Sequence, residues 1–136
     1  MSRSKLLVIV GFLFLIGACS DSELVNMKEL SNGAKLYKSH CANCHQEDGS
    51  GLANLIPPLK HSDYLKSHAA ELPCIITHGL QGEILVNGKM YQMKMVPVKG
   101  LKPEDVKDLC TYVLQKFPQE PIGAEVWQKS LVDSCF

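Results

Sequence analysis

Apolar positions in this chain fall into runs of different character. Leu6 to Ala18 is one charge-free apolar stretch. Near the other end, Val106, Leu109, Cys110, Val113 and Phe117 recur at the spacing that lines one face of an α-helix. Lys102-Pro103-Glu104-Asp105 before them suits a helical first turn, and Pro118 and Pro121 end the element. Ser31 to His40 predicts an earlier helix, with Ala34, Leu36 and Tyr37 available for packing and Ser31 or Asn32 as N-cap. Shorter helices are expected over Ser62 to Lys66, Ala69 to His78 and Ala124 to Val132, the last carrying Trp127. Pro57 and Pro58 exclude regular helix from the Gly-rich loop after residue 45, and Gly79 and Gly82 turn the chain toward residues 84–95. Helices joined by loops, without alternating strands, make an all-α domain the expectation.

The first apolar run changes how much of the 136-residue chain must fold. Arg3 and Lys5 precede it, and it is too short to span a bilayer, which takes about 20 apolar residues. It reads as an export signal over residues 1–18. Leu15-Ile16-Gly17-Ala18-Cys19 resembles a bacterial lipoprotein box, which implies a lipidated Cys19 and a membrane-tethered, exported protein on the periplasmic or cell-surface side. Residues 19–30 are polar and acidic and read as a spacer; 31–117 form the domain and 118–136 a C-terminal extension. Without Arg3 and Lys5, 12 basic residues face 14 acidic ones, a net charge of −2 with no basic block, which argues against nucleic acid as a partner.

Cys41-Ala-Asn-Cys44-His45 carries the chemistry. In C-x-x-C-H, two thiols one turn apart bond to the vinyl groups of a haem and the adjacent imidazole ligates its iron. A thioredoxin-like redox pair would follow a strand in a βαβ unit. A structural zinc site would need a second ligand pair, whereas Cys74, Cys110 and Cys135 are isolated from one another. A plain disulfide within the motif is the remaining alternative.

Over residues 31 to 117 the chain resembles the small monohaem class I cytochromes c. Gly33-x-x-x-Tyr37 before CANCH is similar to that family's first helix, Leu109-x-x-Tyr112 to its last, and Pro57-Pro58-Leu59 to its proline segment. The resemblance implies a cytochrome c fold of three to five helices around one covalent haem c, with a prolyl carbonyl, by position that of Pro57, accepting the proximal imidazole N–H. Val86 to Pro97 resembles the run of Gly, Tyr and Met-Pro that supplies the sixth iron ligand. Tyr91, Met95 and Leu101 give the best register, so Met95 is the implied ligand and Met93 the alternative. Two positions depart from the pattern: Val96 intervenes before Pro97, and Gln46 replaces the usual Gly after the haem histidine. His40, His61, His68 and His78 are candidates for bis-histidine ligation.

If lipid and haem claim Cys19, Cys41 and Cys44, three cysteines remain. Cys110 lies on the apolar face of the last helix, which leaves Cys74 and Cys135 as the candidate disulfide. A His/Met-ligated iron leaves no site for a small-molecule substrate. The expected role is therefore a non-enzymatic carrier of single electrons between redox partner proteins. The alternatives are a haem subunit of a larger oxidoreductase, or a five-coordinate sensor or peroxidase.

Overall fold

The computed structural model describes residues 21–117, 132 and 134–136, with side chains from 26 onward. The expected signal, Cys19 and nearly all of the expected helix from Ala124 to Val132 lie outside the described residues. Five α-helices follow in order among the described residues: α1 (Asp21–His40), α2 (Ala42–His45), α3 (Asp63–Ser67), α4 (Leu72–His78) and α5 (Pro103–Lys116). A 3₁₀ turn, Ala69–Glu71, leads into α4, and strands β1 (Ile84–Val86) and β2 (Lys89–Tyr91) lie between α4 and α5. Among the described residues, no helix is long and apolar enough to cross a membrane.

Helices α1 and α5 are the main packed pair. They meet at Gly33, where a methyl group would come within 2.6 Å of Tyr112 Cβ and collide with the Asp108 carbonyl. Tyr37 from α1 packs its ring against Tyr112 and Phe117, at centroid distances of 5.6 and 5.5 Å. Val106, Leu109, Cys110 and Val113 are fully or almost fully buried in the same core, so the apolar stripe read along residues 106–117 is the buried face of α5. Each such aliphatic side chain contributes about 1.5–3 kcal/mol by leaving water.

The structure amends one expectation and bears out another. Residues 21–30, read as a spacer, are helical, because α1 continues past Ser31 toward the N-terminus and lies along α5. Its polar face is tied there: Lys107 bonds Glu29 at 2.7 Å, and the Asn32 amide donates to Asp105 and Asp108 at 3.2 and 2.8 Å. Asn32 is therefore an interior bridge and not an N-cap. The all-α expectation holds, with one small two-stranded sheet among the described residues. Strands β1 and β2 pair antiparallel, with Ile84 opposite Tyr91 and Val86 opposite Lys89. Asn87 and Gly88 between them both have positive φ, 52° and 75°, as a two-residue hairpin turn matched to the right-handed strand twist demands. Reciprocal bonds tie the hairpin to α3: Asn87 N–H donates to Asp63 Oδ1 at 2.7 Å, and Asp63 N–H to Asn87 Oδ1 at 3.0 Å.

Cys74 of α4 is joined to Cys135 by a disulfide spanning 61 residues of sequence. Closing a loop of that length in the unfolded chain is worth about 4 kcal/mol in the chain-entropy account. Cys74→Ala/Cys135→Ala holoprotein is accordingly expected to lose stability of that order in denaturant unfolding. An unchanged midpoint would show that the crosslink contributes nothing.

Candidate functional site

CANCH closes the end of α1 into a single turn. Cys41 N–H continues the α1 ladder to the Tyr37 carbonyl at 2.8 Å, and the Cys41 carbonyl accepts from Cys44 and His45 N–H at 3.1 and 2.8 Å. One turn thus delivers two free thiols, Cys41 buried and Cys44 exposed, beside a half-buried imidazole. Burial, with a smaller contribution from Cys44, pushes the Cys41 thiol up to about 11. Burial also lowers the His45 pKa, against a raising effect of its hydrogen bond to Pro57, which favours the neutral ring that a metal requires.

The loop after CANCH folds back to orient that ring. Gly51 N–H donates to the His45 carbonyl at 3.0 Å, and Leu52 and Ile56 bridge each other. This brings the Pro57 carbonyl to 3.1 Å from His45 Nδ1. A carbonyl only accepts, so Nδ1 carries the proton and Nε2 keeps its lone pair. Of the two prolines, Pro57 makes the contact.

His45 and Pro57 line a pocket of about 680 Å³, mouth included, together with Leu65, Leu72, Ile76 and Val86. Its walls are almost entirely apolar, which suits a macrocycle. Met95 lines the same pocket. Met93 is 53% exposed and Met90 48%, and neither lines it. Main chain holds Met95 in place: Leu80 N–H donates to the Met95 carbonyl at 3.0 Å, Met95 N–H to the Leu80 carbonyl at 2.9 Å, and Val98 N–H to the Ile76 carbonyl of α4 at 2.9 Å. The approach requires Gly79, whose φ of +77° few L-residues adopt and whose missing Cβ would strike the Met95 carbonyl.

Other expected residues lie elsewhere. Tyr91 is buried but does not line the pocket; across the hairpin, Ile84 and Val86 do, and Lys89 lies over the Tyr91 ring at 5.5 Å. His40, His61 and His78 are exposed and away from the pocket walls, whereas His68 lines the pocket. Tyr64 and Ser62, which sequence reasoning left unassigned, line it too. For Tyr64 the available signal was its four-residue spacing from His68, which puts two rings one turn apart wherever the chain is helical; Ser62 had none. Among the described residues, no group of three or more His, Cys, Asp or Glu side chains is placed to hold a metal ion.

Gln46 closes α2 with φ 65° and ψ 159°, a region almost reserved for glycine that costs other residues about 1–3 kcal/mol. Its carbonyl accepts the Tyr37 hydroxyl at 2.6 Å, a bond made by backbone and therefore open to any residue. Gln46→Gly is expected to stabilise the holoprotein by about 1 kcal/mol or more in denaturant unfolding, with an unchanged visible spectrum. A loss of stability would mean that the Gln46 side chain outweighs the strain.

The family model described as cytochrome c matches residues 30–116, more than half of the chain. Cytochrome c-552 from Thermus thermophilus is 32% identical over 93 residues, covering 61% of this chain and 66% of that protein. A second Thermus thermophilus cytochrome c-552 is 58% covered, so the chain spans under two thirds of these relatives' length. Cytochrome c6 from Nostoc sp. is 33% identical over 117 residues, 85% of this chain and 95% of that protein. With two free thiols and an oriented imidazole at an apolar pocket, and a family match spanning that pocket, the chain belongs to the cytochrome c family, whose members bind haem c covalently.

Proposed function

We propose that this protein is an exported, membrane-tethered carrier of single electrons. Cys41 and Cys44 bond the haem, His45 and Met95 ligate its iron, and lipid on Cys19 anchors the chain. The observation that carries the reading is that the imidazole oriented by Pro57 and the thioether of Met95 share one apolar pocket, from which Met93 is absent. The bound haem supplies a one-electron couple. His45, its Nδ1–H held by a carbonyl, gives a basic Nε2, and Met95 gives a soft sulfur that favours the ferrous state. Leu65, Leu72, Ile76 and Val86 exclude water and lower the local dielectric. With His45 and Met95 both holding the iron, no ligand position would remain for a substrate, which supports transfer to protein partners through short-lived complexes over an enzymatic role. Exported cysteines in a disulfide fit the assigned compartment.

The test is a redox titration of purified holoprotein with its ferric spectrum. A single one-electron wave together with the weak far-red band of sulfur-to-iron charge transfer is expected. A high-spin ferric spectrum would replace this reading with an open-site sensor or peroxidase. Mass analysis of the membrane fraction tests the anchor: an unmodified Cys19, or a mature chain starting elsewhere, removes it.

A further inference from the structure

Met95 rests on helix α4. Leu72, Ile75 and Ile76 of that helix line the pocket, and the Ile76 carbonyl accepts Val98 N–H. Gly79 and Leu80 follow α4 directly and carry the close approach and the two-bond ladder to Met95. The thioether is therefore held only as firmly as α4 is.

Seven residues do not hold a helix in place by themselves, since isolated helices below about 12–15 residues are marginal in water. Apolar packing on α5 secures one side. The polar side chains add no tie to the rest of the domain: the Thr77 hydroxyl donates to the Pro73 carbonyl at 2.9 Å, and His78 Nδ1 lies 3.3 Å from the Cys74 carbonyl, both within α4. The side away from the pocket carries the crosslink. Cys74 stands two residues from both Leu72 and Ile76, about 200° around the helix from each, and is joined there to Cys135. Cys135 is 4% exposed and its N–H donates to the Val132 carbonyl at 3.0 Å. Val132 is itself buried in the main apolar core, so the disulfide fastens α4 to a segment seated in that core.

We propose that Cys74 and Cys135 are positioning residues for the sixth iron ligand: their bond restrains α4 and, through Leu80, lowers the rate at which Met95 leaves the iron. A disulfide that acts only by constraining the unfolded chain raises global stability and leaves that rate unchanged, so the two roles separate in the native state. The assignment rests on Met95 ligation.

Imidazole binds ferric iron only after the thioether has left, so the decay of the far-red band at saturating imidazole reports Met95 release. Cys74→Ala/Cys135→Ala holoprotein is expected to lose the band about tenfold faster than wild type, as local opening around α4 becomes easier. Gly33→Ala, which weakens the α1–α5 crossing without touching α4, should stay near the wild-type rate. A wild-type rate in the double variant, or equal acceleration in Gly33→Ala, would overturn the proposal. Should the double variant not fold, CO binding to ferrous wild-type holoprotein decides. Opening the disulfide with a phosphine should speed it relative to ascorbate-reduced protein, whose disulfide is intact, and an unchanged rate rejects the proposal. Absence of the far-red band in wild type removes Met95 ligation and this proposal with it, whereas a normal band with unchanged rates removes this proposal alone.

Discussion

Met95→Ala holoprotein is expected to lose the far-red charge-transfer band of the ferric state and to titrate at a potential lower by on the order of 0.2 V, a fraction of the roughly 0.8 V that axial ligands span. Met93→Ala should leave both unchanged. The contrast follows from placement: Met95 lines the pocket, while Met93, two residues earlier in the same extended segment, is 53% exposed and outside it. The substitution removes the thioether but none of the backbone bonds to Leu80, so the segment keeps its path and the spectrum reports the ligand, not a collapsed loop. Thioether ligation raises the potential because soft sulfur stabilises ferrous iron over ferric. The opposite pattern, a band lost in Met93→Ala and kept in Met95→Ala, would shift the segment's register by two residues and sink the assignment.

Gly33→Ala is expected to destabilise the holoprotein by about 2 kcal/mol or more. Two effects oppose each other. Alanine favours an exposed helix interior over glycine by about 1 kcal/mol. Here the added methyl would lie 2.6 Å from Tyr112 Cβ and run into the Asp108 carbonyl of α5. These neighbours are a Cβ and main chain, which cannot swing aside as a flexible side chain could, so relief requires the α1–α5 pair to separate. Overpacking of this kind costs about 1–3 kcal/mol and sometimes more, and it disturbs the Tyr37 contacts with Tyr112 and Phe117. At about 4–8 °C per kcal/mol for a domain of this size, the thermal midpoint should fall by roughly 10 °C or more. A midpoint equal to or above wild type would show that the crossing has slack.

Much of the site was legible because its chemistry is local in sequence. CANCH needs only one helical turn to bring its groups together, and the α5 stripe declares its buried face by spacing alone. Proximity across the chain was harder to read. That Met95 and not Met93 enters the pocket depends on pairing with Leu80, fifteen residues earlier, and on the positive φ of Gly79, neither of which has a local signature. The hairpin was missed although Asn87-Gly88 is a strong two-residue turn signal, because three-residue strands are too short to show alternation. The start of α1 was placed too late because its polar N-terminal half is held by Glu29–Lys107 and by the Asn32 amide, not by an apolar face. Tyr91, selected for its place four residues before Met95, is buried in the hairpin strand β2 and does not line the pocket.

With Met95 as the proposed ligand, the ladder between Leu80 and Met95 would bear on the speed of electron transfer as well as on its potential. An electron crosses quickly when the atoms around the donor and acceptor hardly need to rearrange. A sulfur carried on a residue bonded through both its N–H and its carbonyl, on a segment anchored again three residues on through Val98 to Ile76 of α4, would be held where it stands whichever charge the iron bore. On the proposed ligation, the nuclear barrier to each exchange would be kept low by main chain, and the side chains around Met95 would be left free to differ in shape and charge according to the partner they meet.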